Sequence, residues 1–371
     1  MREGWTYKKL GEVCDVINGL WTGKKEPFIT VGVIRNANFT KECTLNLDNI
    51  AYIDVEEKQF KTRELQYGDI IIEKSGGSDN QPVGRPVFFY LKEKGYSFSN
   101  FTAALRIKEL EDINPPFLHK ALLFQYKQGV TRKLQSKTTG LHNLNFKAYL
   151  NCEIPLPPKS QQEAIVSELD EINSLLALKR EQLQKYDKLA QSLFYEMFGD
   201  PVENEKGWEV KKFIDVVKLQ RGFDLPTNLR VSSGNIPVYG SNGVLGFHNE
   251  SKIDSGIITG RSGTIGEVFV SHTPCWPLNT SLFSVDTHGN NLVYLQYLLR
   301  AYDLKRFVEG AGVPTLNRNV FHNNLIIDCP LPLQQQFASR IEQIEDQKQQ
   351  VQAAIEKLET LLASRMQYWF E

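Results

Sequence analysis

The stretch whose residue types come nearest to doing chemistry is Asn114-Pro115-Pro116-Phe117. An Asn amide beside a proline-held carbonyl has the groups to hold an exocyclic base amine for methyl transfer. That chemistry also needs an apolar strand before the tetrad and a separate Gly-rich cofactor loop. Here the tetrad follows Lys108-Glu109-Leu110-Glu111-Asp112-Ile113, an acidic turn, and a proline pair suits the first turn of a helix. A helix over 117–127 is the expectation. Gly240, Gly243 and Gly246, and then Gly260, Gly263 and Gly266, fit no nucleotide fingerprint, because neither set lies between the strand and helix of a βαβ unit. They predict tight β-turns, which also bring backbone N–H groups close to phosphate. His119, His142, His248, His272, His288 and His322 show no HxxxH or HxH spacing, and the five cysteines show no CxxC. A metal site and a disulfide framework are not expected. No carboxylate pair or nucleophile elbow stands out, so the pattern points to a binding chain.

Charge supports a binding role. The net charge is −1, yet residues 1–153 carry 22 basic and 18 acidic side chains while residues 154–200 carry 5 and 8. Between Asp112 and Glu153 there is no acid, but Lys120, Lys127, Arg132, Lys133, Lys137 and Lys147 all occur. Such a run is either a solvated face or a phosphate-contacting surface. The composition, 41% hydrophobic and 23% charged, is that of a globular protein, and no apolar run reaches the length of a membrane span. Without a signal-peptide core at the N-terminus, the expected location is a reducing cytoplasm.

The elements that would position such surfaces are two long helices, expected over 160–198 and 335–370. In the first, Ile165, Leu169, Ile172, Leu176, Lys179, Leu183, Tyr186, Ala190, Leu193 and Met197 alternate in steps of four and three. In the second, Phe337, Ile341, Ile344, Lys348, Val351, Ile355, Leu358, Leu362, Arg365 and Trp369 do the same. A 3.5-residue repeat makes a narrow apolar stripe, the seam of a coiled coil. Lys179 and Lys348 interrupt the seams, either with stems lying along them or as polar positions that fix register.

The helices belong to a two-fold internal repeat. Gly4-Trp5-Thr6-Tyr7-Lys8-Lys9-Leu10 returns as Gly207-Trp208-Glu209-Val210-Lys211-Lys212-Phe213, and Asn18-Gly19-Leu20 as Arg221-Gly222-Phe223. Pro155-Leu156-Pro157 pairs with Pro330-Leu331-Pro332 as a turn that launches each helix. Ile71 to Gly77 aligns with Ile257 to Gly263, and Ser99 to Thr102 with Pro277 to Thr280. The expected fold is α+β: β-rich domains at 1–153 and 201–328, each followed by a Pro-Leu-Pro turn and spacer helix at 154–200 and 329–371. Strands are expected at 28–35, 69–73, 87–91, 98–107, 237–239, 256–259, 267–270 and 281–285, with a second domain helix at 292–307. Antiparallel pairing of the long helices, with one domain at each end, closes the pseudo-two-fold; the connection 199–207 is too short for parallel pairing.

The duplicated order of these features resembles the specificity subunits of type I restriction–modification enzymes. The likeness rests on the two Gly-Trp-x-x-Lys-Lys openings, the two Pro-Leu-Pro turns before Gln161-Gln162 and Gln334-Gln335-Gln336, the two long helices, and the loops around Gly240 and Gly260. The resemblance implies two target recognition domains, each reading one half of an asymmetric bipartite site in double-stranded DNA. It implies a helical spacer that sets the gap and docks two methyltransferase subunits. S-adenosylmethionine would sit on those partners and serve adenine methylation; ATP and Mg would sit on two further motor-nuclease subunits. The chain itself would carry no cofactor and no catalytic residue.

Base readout needs polar and cationic side chains on groove-facing loops. Under this resemblance the candidates are Lys74, Ser75, Arg85, Lys133, Lys137 and Thr138 in the first half, and Arg221, Arg261, Ser262, Thr264, Asn317 and Arg318 in the second. Arg261, in a Gly-flanked loop with no acid before Glu267, leads. Two other readings stand beside this one: a coiled-coil adaptor with two protein- or ligand-binding β-domains, and a degenerate methyltransferase using Asn114.

Overall fold

The computed structural model describes residues 4–371 apart from 22, 24, 139 and 310–313. The backbone divides into two compact units, residues 1–177 with 356–371 and residues 178–355.

In the first unit the buried run Ile70-Ile71-Ile72 forms a central strand, as a continuous apolar stretch should. Its sheet runs Cys14–Asn18, Thr102–Ile107, Ile70–Glu73, Pro86–Phe88, all antiparallel. A second sheet orders Ala51–Glu56, Phe28–Ile34 and Tyr96–Phe98, the last pair parallel. Thr6–Lys9 pairs with Glu153–Leu156. The second unit repeats this plan. Its main sheet runs Lys218–Arg221, Ser281–Asp286, Gly256–Gly260, Val268–Ser271. Its other sheet orders Gly243–His248, Ile236–Gly240 and Trp276–Pro277, again with the last pair parallel. Val210–Lys212 pairs with Leu325–Ile327.

Each domain has one principal helix, Pro115–Lys127 and Leu292–Tyr302. Asn114 and Asn291 cap them, each side chain accepting backbone N–H groups of the first turn. Asn114-Pro115-Pro116 is thus a helix start, as its composition predicts. The second helix ends earlier than expected: Asp303 takes a left-handed φ of 52° and a 3-10 turn, Leu304–Phe307, follows. The expected strand over 98–107 is two strands, split by a turn in which Thr102 N donates to Ser99 O at 3.0 Å.

The long helices span Lys159–Phe198 and Leu331–Phe370, 40 residues each. In the first unit, Glu168 near the start of one meets Arg365 and Trp369 near the end of the other. In the second unit, Phe194 and Phe198 near the end of one pack on Phe337 near the start of the other. The helices therefore run antiparallel. Ile165, Leu169, Ile172, Leu176, Leu193, Ile341, Ile344, Val351 and Ile355 are buried, while Leu183, Leu358 and Leu362 are half-buried. Lys348 reaches Asp187 at 2.8 Å and Glu345 at 2.9 Å. No described helix is long and apolar enough to cross a membrane.

The Pro-Leu-Pro pairing needs correction. Pro155 and Leu156 lie in the strand Glu153–Leu156, whereas Leu331 and Pro332 open the C-terminal helix. The true equivalents are Pro158 and Pro330. Gln162 N donates to Pro158 O at 3.1 Å and Gln334 N to Pro330 O at 3.2 Å. The C-terminal helix therefore begins four residues before the expected Gln335, because a proline in the first turn costs no helical hydrogen bond.

Candidate functional site

The repeat brings two turns into the same backbone frame. After the strand Ile70–Glu73, Lys74 N and Ser75 N both donate to Phe101 O, at 2.8 and 3.2 Å. After the strand Gly256–Gly260, Arg261 N and Ser262 N both donate to Thr280 O, at 2.9 and 3.2 Å. Lys74 O accepts Leu144 N at 2.8 Å, and Arg261 O accepts Leu316 N at 2.8 Å. Ser75 pairs with Asn143 and Ser262 with Thr315. Gly76 and Gly263 follow, with φ of 105° and 85°, which only glycine adopts freely. Lys74 and Arg261 are therefore equivalent, as are Ser75 and Ser262.

This frame shifts the sequence alignment by one residue. Aligning the Ile-Ile runs puts Lys74 opposite Gly260, and Ser99 opposite Pro277. Strand register instead puts Glu73 opposite Thr102 and Gly260 opposite Ser281. Ser99 then matches Leu278, and Phe101 matches Thr280. The neighbouring segment agrees with this register. Leu20 N donates to Phe98 O and Phe223 N to Pro277 O, both at 2.8 Å. A side chain at Gly19 or Gly222 would overlap the Ser99 or Leu278 carbonyl oxygen, so the chain passes close only as glycine. Asn18 and Arg221 sit just before these glycines, at equivalent positions in their sheets.

The side chains on the two frames differ. In the first domain Lys74 Nζ donates to Asn18 Oδ1 at 2.9 Å, and its burial holds the ammonium below its ordinary pKa. Asn36 Nδ2 donates to Ser75 O at 2.6 Å, and Ser75 Oγ contacts Asn143 Oδ1 at 2.5 Å. Lys137 lies on the strand Gln135–Thr138, in one sheet with Leu141–Leu144 and Ser75–Gly77. It is exposed and pairs with Asp79 at 3.2 Å, whose carboxyl is held low by that hydrogen bond and charge. In the second domain Arg221 pairs with Asp224 at 3.4 Å, and Asn279 also donates to Asp224. Arg261 and Ser262 are half-buried and Thr264 is exposed in the turn that follows.

Other candidates fall elsewhere. Arg85 is a correction: it is 4% exposed and its guanidinium forks onto Glu73 at 2.7 and 3.1 Å. It also donates to Phe39 O at 3.0 Å. A buried cation needs such partners, so Arg85 braces the core and does not face a groove. Asn317 caps the short helix Arg318–Phe321 by accepting Asn319 N at 3.1 Å, as Asn145 caps Phe146–Tyr149. Arg318 is half-buried there; Lys133 is exposed in the turn Val130–Lys133. The Thr138 side chain lies outside the described residues. The acid-free basic run is not one surface, since Lys120 is buried and pairs with Asp170 at 2.5 Å. Sequence reasoning missed Asn18, Asn36, Phe101 and Asn143, which become neighbours of Lys74 and Ser75 only through long-range pairing.

Comparison with known proteins agrees with the duplicated plan. A family model described as the type I restriction modification DNA specificity domain matches residues 2–186 and 205–360. The MjaIX type I restriction enzyme specificity subunit of Methanocaldococcus jannaschii is 28% identical over 229 residues, covering 51% of this chain and 53% of that protein. The MjaVIII specificity subunit of the same organism is 28% identical over 102 residues, covering 24% of each. The chain thus spans about half or less of the curated relatives it matches. Among solved structures, a chain from a study of complex assembly and conformational transition in the type I R-M system gives a TM-score of 0.65 at 17% identity, covering 100% of this chain and 98% of that one. The S subunit from M. genitalium gives 0.56 at 15%, covering 98% and 95%. At these identities the structures speak for the fold. With both of its halves matched, this chain belongs to the family of type I restriction modification DNA specificity domains.

Proposed function

We propose that this chain is the specificity subunit of a type I restriction–modification assembly and that each domain reads one half of an asymmetric bipartite site in double-stranded DNA. The observation that carries this reading is the pair of turns, each followed by a left-handed glycine and built on one hydrogen-bonded frame, but bearing Lys74-Ser75 in one domain and Arg261-Ser262 in the other. Equal frames dock in equal ways, and unequal side chains select different bases. Arg221, Arg261, Ser262 and Thr264 face the second half-site; Lys74, Ser75 and Lys137 face the first, with Lys133 on its phosphates. The paired long helices set the gap and dock two methyltransferase subunits, which bind S-adenosylmethionine and methylate adenine. Two motor-nuclease subunits using ATP and Mg complete the assembly in the cytoplasm, and this chain contributes no catalysis.

Methylome sequencing of cells with and without this chain, both expressing the partner methyltransferase, tests the proposal. A bipartite, asymmetric motif with methyladenine in both halves is expected only when the chain is present. A methylation pattern that ignores the chain overturns it.

A further inference from the structure

Phe101 stands out in the first turn. It lies in the polar sequence Ser99-Asn100-Phe101-Thr102, yet 45% of its surface is exposed. Lone exposed apolar residues are common. This one is placed by the frame itself, because its carbonyl receives the N–H groups of both Lys74 and Ser75. Its ring lies beside Gly76, where an added Cβ would stand 3.9 Å from Phe101 Cδ1. The ring is thus held next to the Lys74–Ser75 turn.

The equivalent residue in the second domain is Thr280, half-buried beside Arg261 and Ser262. Phe and Thr share little chemistry except an apolar contact surface, and both serve as partners for the C5-methyl of thymine in the major groove. Each is joined through its carbonyl to a turn that carries a cation, Lys74 in the first domain and Arg261 in the second.

We infer that Phe101 and Thr280 each contact the methyl group of a thymine next to the base read by Lys74 or Arg261. This rests on the proposed DNA-reading function and assigns to each half-site one position read by apolar contact. No polar group of either side chain is needed for it, so the discrimination is between thymine and the same base without its methyl.

The test uses the chain assembled with its methyltransferase and a duplex carrying the bipartite site found by methylome sequencing. Each thymine is replaced in turn by deoxyuridine and binding is measured by competition at fixed salt. One replacement in each half-site is expected to weaken binding about fourfold, the effect of one buried methyl. Phe101→Ala should abolish the loss in the first half-site only, Phe101→Leu should keep part of it, and Thr280→Ser should abolish it in the second only. Half-sites in which no thymine is sensitive to its methyl overturn the inference, as does a Phe101→Ala protein that still discriminates fully. In either case a wild-type complex that selects its bipartite site leaves the DNA-reading proposal standing. A wild-type complex with no sequence preference overturns both.

Discussion

The side-chain oxygen of Gln162 accepts the backbone N–H of Asn114 at 2.8 Å, tying the first turn of the central helix to the cap of the domain helix. Its amide nitrogen donates to Asp112 O and Pro157 O, each at 2.9 Å. Gln334 repeats the arrangement, accepting Asn291 N at 2.9 Å and donating to Cys329 O at 2.8 Å and Asn290 Oδ1 at 2.7 Å. Both glutamines are 1% exposed. Each therefore acts as a fully satisfied bracket between a globular domain and its long helix.

Gln162→Ala leaves one backbone N–H and two carbonyl groups without the partner they have in the fold. A loss of about 2–4 kcal/mol is expected, since each buried group without a partner costs about 1–3 kcal/mol and some relax toward solvent. Urea denaturation would show it as a lower midpoint. Gln334→Ala should do the same in the second unit; an unchanged midpoint for both would contradict the bracket.

Arg85 tests the distinction between core and groove. Arg85→Ala leaves Glu73 buried without its partner, and about 3–5 kcal/mol of stability should be lost. Replacing both with Met and Leu should recover much of that. A folded Arg85→Ala complex with altered base preference and normal stability would return Arg85 to the readout surface.

Arg261→Ala removes a side chain able to grip a guanine edge by two hydrogen bonds. It should weaken binding by about 1–3 kcal/mol and relax one position of the second half-site. Lys74→Ala should relax one position of the first. Selection from a randomised duplex pool separates the two; an unchanged consensus with Arg261→Ala would refute its role.

Removing one heptad from both long helices shortens each by about 10 Å. If the helices set the gap, methylome sequencing should show it shortened by about three base pairs, with both half-sites intact. A change in the half-sites themselves would refute the spacer role.

His119 gives the pH dependence. Burial pushes its imidazole from 6.5 down to about 4, against the opposing contact with Pro86 O at 3.3 Å. Between those values the unfolded chain binds the proton and the folded one does not. Stability is then full above pH 6.5 and falls as pH drops toward 4, by up to about 1.4 kcal/mol per pH unit. His119→Phe should flatten that part of the stability curve, measured by denaturation from pH 7 to 4.

Local rules decided much of this molecule. The steps of four and three from Ile165 to Met197 suffice for a helix with one apolar stripe, because helix geometry is set within a few residues. Asn114 before two prolines suffices for a capped helix start. Gly19 and Gly222 recur in the sequence because each lies too close to another backbone for any side chain. What the chain alone left undecided is register. Ile71-Ile72 and Ile257-Ile258 look alike, and sliding one against the other by a residue changes no local preference. It does change which face of the sheet each side chain takes. Only the pairing of Glu73 with Thr102, and of Gly260 with Ser281, makes Lys74 the counterpart of Arg261. The same holds for Pro155, whose likeness to Pro330 is erased by a strand pairing with Thr6–Lys9. Arg85 reads as a surface cation until Glu73, twelve residues away, closes over it in the core. Burial and register are set by contacts between distant segments, and those exist only once the sheets have assembled.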